Sequence, residues 1–357
     1  MDGSAQQQFL PFFAQMFSTV ENILSEYTIS SPAAHYLYRQ ILQKGPDAIN
    51  DQRIAARTRQ ALKDTFELSL PTIVTIQKAS DGTHKFLLQL NDGEKVEAVL
   101  LPFHKRYTIC LSSQVGCKMA CRFCFTATAG FTRHLATHEI VGQYLVLAWW
   151  ARAHLGERGK VKPNIVFMGQ GEPLDNFDAV KSAIQVLLQS TGIHLGPRQI
   201  TLSTCGYLPS FTRLGELPPI NIAISLHSPF DHVRSELIPI NRVYPLADLF
   251  KHLSTISLDH RQYITFEYLL IANMTDRTED AEALVQLIRP FKSLVNLIPF
   301  NPFPGCSYKR PSDQRIEAFK NYLVEKKVRV MLRTTKGDEI LAACGQLKGQ
   351  NNLVVAE

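Results

Sequence analysis

Three cysteines fall within eight residues, Cys117-Lys118-Met119-Ala120-Cys121-Arg122-Phe123-Cys124, a density that accident explains poorly. Thiolates are the ligands of iron-sulfur clusters and of structural zinc. Three of them hold three irons of a [4Fe-4S] cluster and leave the fourth iron open, whereas closed electron-transfer clusters and structural zinc sites ordinarily take four protein ligands. The alternative is a Cys3His zinc site completed by His134 or His138, although short zinc loops usually show two CxxC-like pairs. Two further places could act on a bound ligand. Gly169 and Gly171 directly follow an apolar run, where absent side chains let backbone approach a ligand, and Glu172 beside them can accept a hydrogen bond from an ammonium group. Cys344 lies uncrowded between Ala343 and Gly345, and Arg333 and Lys336 would favour its thiolate if the fold brings them close.

Residues so far apart need a scaffold that gathers them. The chain has 357 residues, 45% hydrophobic and 20% charged, with no low-complexity tract, which excludes disordered and fibrous architectures. From Thr108 onward, short apolar strands alternate with helical segments, the rhythm of βα units on a parallel sheet. Candidate strands cover 108–111, 164–168, 199–203, 220–226, 263–270 and 294–299, and a last strand covers 328–333. Helices are expected over 138–153, with Thr137 as N-cap, and over 178–189, 276–288 and 313–325. Six βα units fall short of the eight of a closed TIM barrel. The α/β core is therefore expected to be an incomplete (βα)6 TIM-like barrel over residues 104–347, open on one side to a large substrate. Ahead of it, residues 1–70 read as a helical accessory domain, with amphipathic helices over 33–42 and 54–66. Residues 71–103 read as a small β-meander turning at Asp81-Gly82 and Asn91-Asp92-Gly93, and 348–357 as a short tail. In such barrels ligand loops follow the C-terminal ends of strands, which is where the residues above fall.

Seven cysteines, an odd number thinly spread, argue against a secreted disulfide framework, as does an N-terminus with no basic segment before an apolar core. The longest apolar run, 144–151, is eight residues, against roughly 20 needed to span a bilayer. A cytoplasmic protein without membrane contact is expected. Net charge is +6, and it is concentrated. Between Ala98 and His138 there is no acid, while Lys105, Arg106, Lys118, Arg122 and Arg133 are basic. From Gly305 to Gln350 ten Lys and Arg face five acids. Such clusters serve either as a solvated surface or as a nucleic-acid footprint.

The spacing CxxxCxxC, with Phe123 before its last cysteine, resembles the radical S-adenosylmethionine (SAM) superfamily signature. The resemblance narrows with Ser112-Ser113-Gln114-Val115-Gly116-Cys117, Met168-Gly169-Gln170-Gly171-Glu172-Pro173-Leu174, Leu202-Ser203-Thr204 and Ser225-Leu226-His227-Ser228-Pro229. Pro239-Ile240-Asn241, Asn296-Leu297-Ile298-Pro299-Phe300-Asn301-Pro302 and Ala342-Ala343-Cys344-Gly345-Gln346-Leu347 complete it. Together these look like the RlmN/Cfr family of RNA adenosine methyltransferases, whose barrel is of the radical SAM type. The resemblance implies a [4Fe-4S] cluster on Cys117, Cys121 and Cys124, and a SAM pocket made by Gly171, Glu172, Ser203, Ser225, Leu226, His227 and Asn301. Two blocks depart from the family pattern. Gln170 stands where a Met is usual, and Phe125-Thr126-Ala127 where Ser-Thr-Ala is common.

The same resemblance implies a mechanism. The C2 carbon of adenine is electron-poor and does not attack the methyl of SAM as a thiolate would. In the family a first SAM methylates Cys344. A second is cleaved to a deoxyadenosyl radical that takes hydrogen from the S-methyl group, so two SAM are used per methylation. The carbon radical adds to the base, Glu97 removes the C2 proton, and Cys110 resolves the covalent adduct by forming a transient disulfide with Cys344. Glu97 is expected to face an apolar pocket that raises its proton affinity. The implied partners are 23S rRNA, with tRNA as a further candidate, and an electron donor such as flavodoxin, the enzyme itself being a monomer. Two alternatives stand beside this: a Cfr-like enzyme acting at C8, and a non-catalytic RNA-binding protein with the Cys3His zinc site. Cys205 and Cys306 read as packing residues.

Overall fold

The computed structural model describes residues 31–45, 70–256 and 262–348, together with Ala48, Asn50, Gln52 and Ala56. Most of the expected helical accessory domain, including the helix read over 54–66, lies outside the described residues, as does all but Lys348 of the tail. One helix of that region is described, α1 (Ser31–Lys44). It docks through Leu42, whose carbonyl accepts from Trp149 Nε1 at 3.0 Å.

Three strands, β1 (Thr72–Lys78), β2 (His84–Gln89) and β3 (Lys95–Pro102), form the expected antiparallel meander, and β3 pairs antiparallel with β4 (Tyr107–Cys110). Next come β5 (Gln114–Gly116) and β6 (Phe131–His134), a separate two-stranded ribbon that brackets the cysteine loop. The parallel sheet then runs from β4 through β7 (Asn164–Phe167), β8 (Ile200–Thr204), β9 (Asn221–Ser225), β10 (Ile264–Leu270) and β11 (Ser293–Pro299) to β12 (Val330–Leu332). All belong to one sheet of ten strands, the meander included. The six expected barrel strands are present, and the expected last strand adds a seventh parallel one. Between them lie α2 (Thr137–His154), α3 (Phe177–Leu188), α4 (Leu208–Phe211), α5 (Asp231–Leu237), α6 (Leu246–Leu253), α7 (Thr278–Ile288) and α8 (Asp313–Glu325).

Alternation along a strand divides the core into two layers. On β10, Phe266 stacks on Phe250 and Tyr268 on Phe319, both on the helix side, while Glu267 and Leu269 face inward and line a cavity. The start of α2 corrects one expectation. Its N-cap is Ala136, not Thr137, and the Glu139 carboxylate accepts from Ala136 N–H at 2.8 Å, while Thr137 Oγ1 donates instead to the Ala179 carbonyl. Among the described residues no helix is long and apolar enough to cross a membrane.

The two ends of the sheet, β1 and β12, are not paired with each other. The segment after β12 crosses the gap between them. Gly337 N–H donates to Asp81 Oδ2 (3.0 Å), Lys85 Nζ to Leu341 O (3.4 Å) and Lys348 N–H to Glu97 Oε2 (2.6 Å). The same segment is tied to the cysteine loop, with Phe125 N–H donating to Gly345 O (2.6 Å) and Thr126 Oγ1 to Leu347 O (2.6 Å). Cys344 is thereby placed over the barrel mouth.

Candidate active site

The cysteine loop leaves β5 with Cys117 N–H donating to Gly130 O (2.7 Å) and folds so that Cys124 N–H meets Cys121 O (3.1 Å). All three cysteines line one cavity at the C-terminal ends of the barrel strands. Burial pushes their thiols above the ordinary range, Cys117 to about 12, and neighbouring thiols add to the effect at Cys117 and Cys121. Thiolates here need a compensating cation, and an iron cluster is one. Neither His134 nor His138 lines this cavity. His134 Nδ1 instead meets Gln114 Nε2 at 3.1 Å, so the Cys3His arrangement is not formed. Among the described residues no three His, Cys, Asp or Glu side chains converge as the ligands of a single metal ion. Thiolates that bind separate irons of a cubane stand farther apart than thiolates sharing one zinc, so the thiols along this wall suit the cluster.

Glu172 lines the same cavity from the loop after β7. Its Oε1 accepts from Leu174 N–H (2.9 Å) and its Oε2 from Cys205 N–H (2.8 Å). Burial raises its pKa against the pull of those bonds, and none of the described ion pairs neutralises it. An ammonium group would. Gly171, with φ +100, is needed for packing: an added Cβ would lie 2.6 Å from Cβ of Gln114, whose Oε1 accepts from Glu172 N–H at 2.9 Å. The reason for glycine is thus support of Glu172 by Gln114, a contact the sequence did not signal.

Ser203, Ser225 and His227 line the cavity as well. His227 has φ +60 and its Nδ1 accepts from Leu269 N–H (3.2 Å), so the ring is neutral with its proton on Nε2. Burial, helped by Arg234, lowers its pKa to about 3. Leu226 is fully buried and contributes backbone: its N–H donates to Glu267 O, and its carbonyl accepts from Arg234 Nε at 3.1 Å. Asn301 lies apart from this group. Its Nδ2 donates to Cys344 O (3.4 Å), its Oδ1 accepts from Thr335 Oγ1 (3.0 Å), and it lines a smaller recess on which Cys344 also opens.

Arg234 is a functional support that the sequence reading missed. Its Nη2 donates to Cys205 O (2.7 Å) and Ser225 O (3.1 Å), and its Nη1 to Asn241 Oδ1 (2.5 Å), binding together the ends of β8 and β9. The block Pro239-Ile240-Asn241 was the available signal, since Asn241 exists here to orient this guanidinium. Glu267 was also missed. It accepts from Asn296 Nδ2 (2.7 Å), and burial, opposed by Arg333 and Asn296, raises its pKa to about 6.

Cys344 lines the cavity beside the three cysteines of the loop. Burial raises its thiol, Arg333 lowers it and Glu267 raises it. Arg333 also acts on Cys110, which is buried with Val99, Leu101, Ala342 and Leu347 and pushed to about 12 by burial and by Cys344. Among the described residues no hydrogen bond or ion pair holds the Arg333 guanidinium. Of the two expected cations only Arg333 acts on the thiol; Lys336 lies over the Phe103 ring, 5.5 Å from its centroid. All seven cysteines are free thiols, so the expected Cys110–Cys344 disulfide is not a feature of this structure. Cys205 does pack in the core but also lines the cavity, and Cys306 packs near Phe303. Glu97 corrects a further expectation. It does not face an apolar pocket: Lys85 Nζ stands 3.2 Å from its Oε1, and Lys348 N–H donates to its Oε2.

The first basic block is partly neutralised by acids that lie outside it in sequence. Arg133 pairs with Glu139 and Asp92, and Lys118 with Asp175 at 2.6 Å.

A partial parallel barrel with a CxxxCxxC loop over its mouth, and a buried acid facing that loop, defines the class of radical SAM enzymes. The Radical SAM superfamily model matches residues 111–288. The chain is similar to the dual-specificity RNA methyltransferase RlmN of Geobacter sulfurreducens, 41% identical over 89% of this chain and 86% of the relative. It is also similar to that of Pelobacter propionicus, 44% identical over 77% of each chain. A crystal structure of a radical SAM methyltransferase from Sphaerobacter thermophilus superposes with a TM-score of 0.82 at 34% identity, over 94% of this chain and 98% of that one. The chain belongs to the RlmN family of radical SAM proteins, and that membership implies a [4Fe-4S] cluster and SAM.

Proposed function

We propose that the protein is a radical SAM RNA methyltransferase that methylates C2 of an adenosine in 23S rRNA, with tRNA as a second substrate. The observation that carries this reading is Cys344, which shares one cavity with Cys117, Cys121 and Cys124 and whose thiol, raised by burial, is drawn down by the Arg333 guanidinium. The similarity to dual-specificity RNA methyltransferases RlmN supports it. A [4Fe-4S] cluster on the three cysteines, with SAM against Glu172, Ser203, Ser225 and His227, supplies the electron, the methyl group and the hydrogen-abstracting radical, two SAM being used per methylation.

The remaining work belongs to the chain. Arg333 favours the Cys344 thiolate, and that thiolate takes the methyl and carries it to the base. Glu97 accepts the C2 proton, which requires that Lys348 release the carboxylate it now covers. Cys110 attacks the sulfur of Cys344, the methylated base leaves, and the resulting disulfide is reduced before the next turnover. A cytoplasmic monomer reduced by a flavodoxin-like donor fits these needs.

Nucleoside mass spectrometry after reaction with 23S rRNA and tRNA tests the reading. 2-Methyladenosine in either RNA supports it. 8-Methyladenosine alone would move the assignment to the Cfr-like reaction, and no methylated adenosine with a reconstituted cluster would overturn it. Metal analysis separates the zinc alternative: iron and sulfide in about equal amounts support the enzyme, zinc without iron sinks it.

A further inference from the structure

We propose that Phe103 and Lys336, flanked by Lys105 and Arg106, form a platform on which an unpaired RNA base stacks at the outer edge of the recess behind Cys344. The proposal rests on the RNA substrate inferred above. Alternation along β3 puts Val99, Leu101 and Phe103 on one face. Val99 and Leu101 are buried against Cys110, Ala342 and Leu347, whereas Phe103, just past the strand end, is 49% exposed. The stripe therefore leads from the two thiols to an aromatic ring in solvent. Leu101 and Lys336 also line the smaller recess on which Asn301 and Cys344 open.

The surroundings of Phe103 suit a nucleotide. A tight turn, closed by Phe103 N–H donating to Arg106 O (2.8 Å), holds the backbone at Phe103 and leaves His104, Lys105 and Arg106 exposed. Lys336 Nζ stands 5.5 Å from the ring centroid. None of Lys105, Arg106 and Lys336 takes part in a described ion pair, unlike Arg133 and Lys118, which share the sequence block of Lys105 and Arg106. The acid beside Lys336, Asp81, is already bonded by Thr83 N–H and Gly337 N–H. An exposed ring with cations outside ion pairs around it is the arrangement that holds single-stranded RNA, the ring offering a face to a base and the cations meeting its phosphates. An enzyme acting on a ring carbon must take its target base out of the stack, and a neighbouring base held on Phe103 would keep that extruded strand at the carrier.

Fluorescence anisotropy of the full-length protein with a labelled 23S rRNA transcript tests the platform, with unchanged thermal unfolding as the check on folding. Phe103→Ala and Phe103→Leu are expected to weaken binding by roughly tenfold or more, and Phe103→Tyr to stay within about twofold of the native protein. Lys336→Ala is expected to weaken binding and to lower the salt dependence by about one phosphate contact. Equal affinity of native protein, Phe103→Ala and Phe103→Leu would overturn the platform and leave the proposed function standing. Failure of the native protein to bind the transcript would instead remove the proposed function. Loss of flavodoxin-dependent reduction in Phe103→Ala, with RNA affinity intact, would assign the surface to the electron donor and also overturn the proposal.

Discussion

Cys344, the proposed methyl carrier, lies between two opposing charges. Arg333 lowers its pKa, while burial and Glu267 raise it. A thiolate reacts only above its pKa, so removing the cation must move methyl acceptance to higher pH. Arg333→Leu is expected to reduce labelling of Cys344 from methyl-labelled SAM at neutral pH by roughly tenfold, one pKa unit of lost thiolate, with the activity restored on raising the pH. Glu267→Gln is expected to shift the same profile to lower pH, because above about pH 6, where Glu267 is ionised, its charge opposes the thiolate. Identical profiles in all three proteins would refute this electrostatic role. Cys110→Ala leaves the carrier intact and removes only the resolving thiol, so RNA is expected to remain covalently attached through Cys344, visible as a retarded band on denaturing gels. At this scale the gathering of the three loop cysteines and Cys344 in one cavity was legible, because ligand spacing and small neighbours are local signals. Glu267 and Arg234 were not, since a single polar residue inside a strand or a short helix reads as surface until the inward face is known.

The segment that carries Cys344 is held by hydrogen bonds at both ends rather than by a strand ladder. Gly345 has φ +82, and a Cβ there would lie 3.1 Å from Phe123 O, so any other residue would be strained and would press on the cysteine loop. Gly345→Ala is expected to push the segment off the cysteine loop, breaking the bond from Phe125 N–H to Gly345 O. Methyl labelling of Cys344 should then fall at least tenfold with RNA binding preserved, measured as label incorporation beside anisotropy, and full labelling would show that the placement is not needed. The central barrel strands were readable from apolar runs between helices because most of their residues are buried, as in β9, β10 and β11. The ribbon of β5 and β6 was not readable, being only three and four residues long and set off from the main sheet. Thr137 misled as a cap because Glu139, serving Arg133 and Ala136 N–H at once, fixes the start of α2 one residue earlier.

Across the whole molecule the sheet is left open between β1 and β12, and the 337–348 segment is the closure. Counting charge along the chain located two basic blocks but could not show which cations are spent on acids such as Glu139 and Asp175, because those pairs exist only once the fold is formed. The closure has one ionisable anchor whose behaviour is defined. Asp81 is raised by burial, but the bonds from Thr83 and Gly337 and the charge of Lys336 outweigh this and lower its pKa. A carboxyl depressed in the folded state contributes stability above its unfolded pKa, about 3.9, that is lost as pH falls through the folded value. Acid should therefore loosen the closure first at the meander end. Hydrogen exchange at residues 337–348 is expected to be slow at pH 7 and, after correction for the intrinsic rate, faster below about pH 4. Asp81→Asn, which keeps the shape but loses the charge, should speed exchange at pH 7 by roughly fivefold, the effect of about 1 kcal/mol, while β7 to β11 exchange as before. If the segment exchanges no faster in acid or in Asp81→Asn, the closure depends on other contacts, and release of Glu97 by Lys348 would need a trigger elsewhere in the segment.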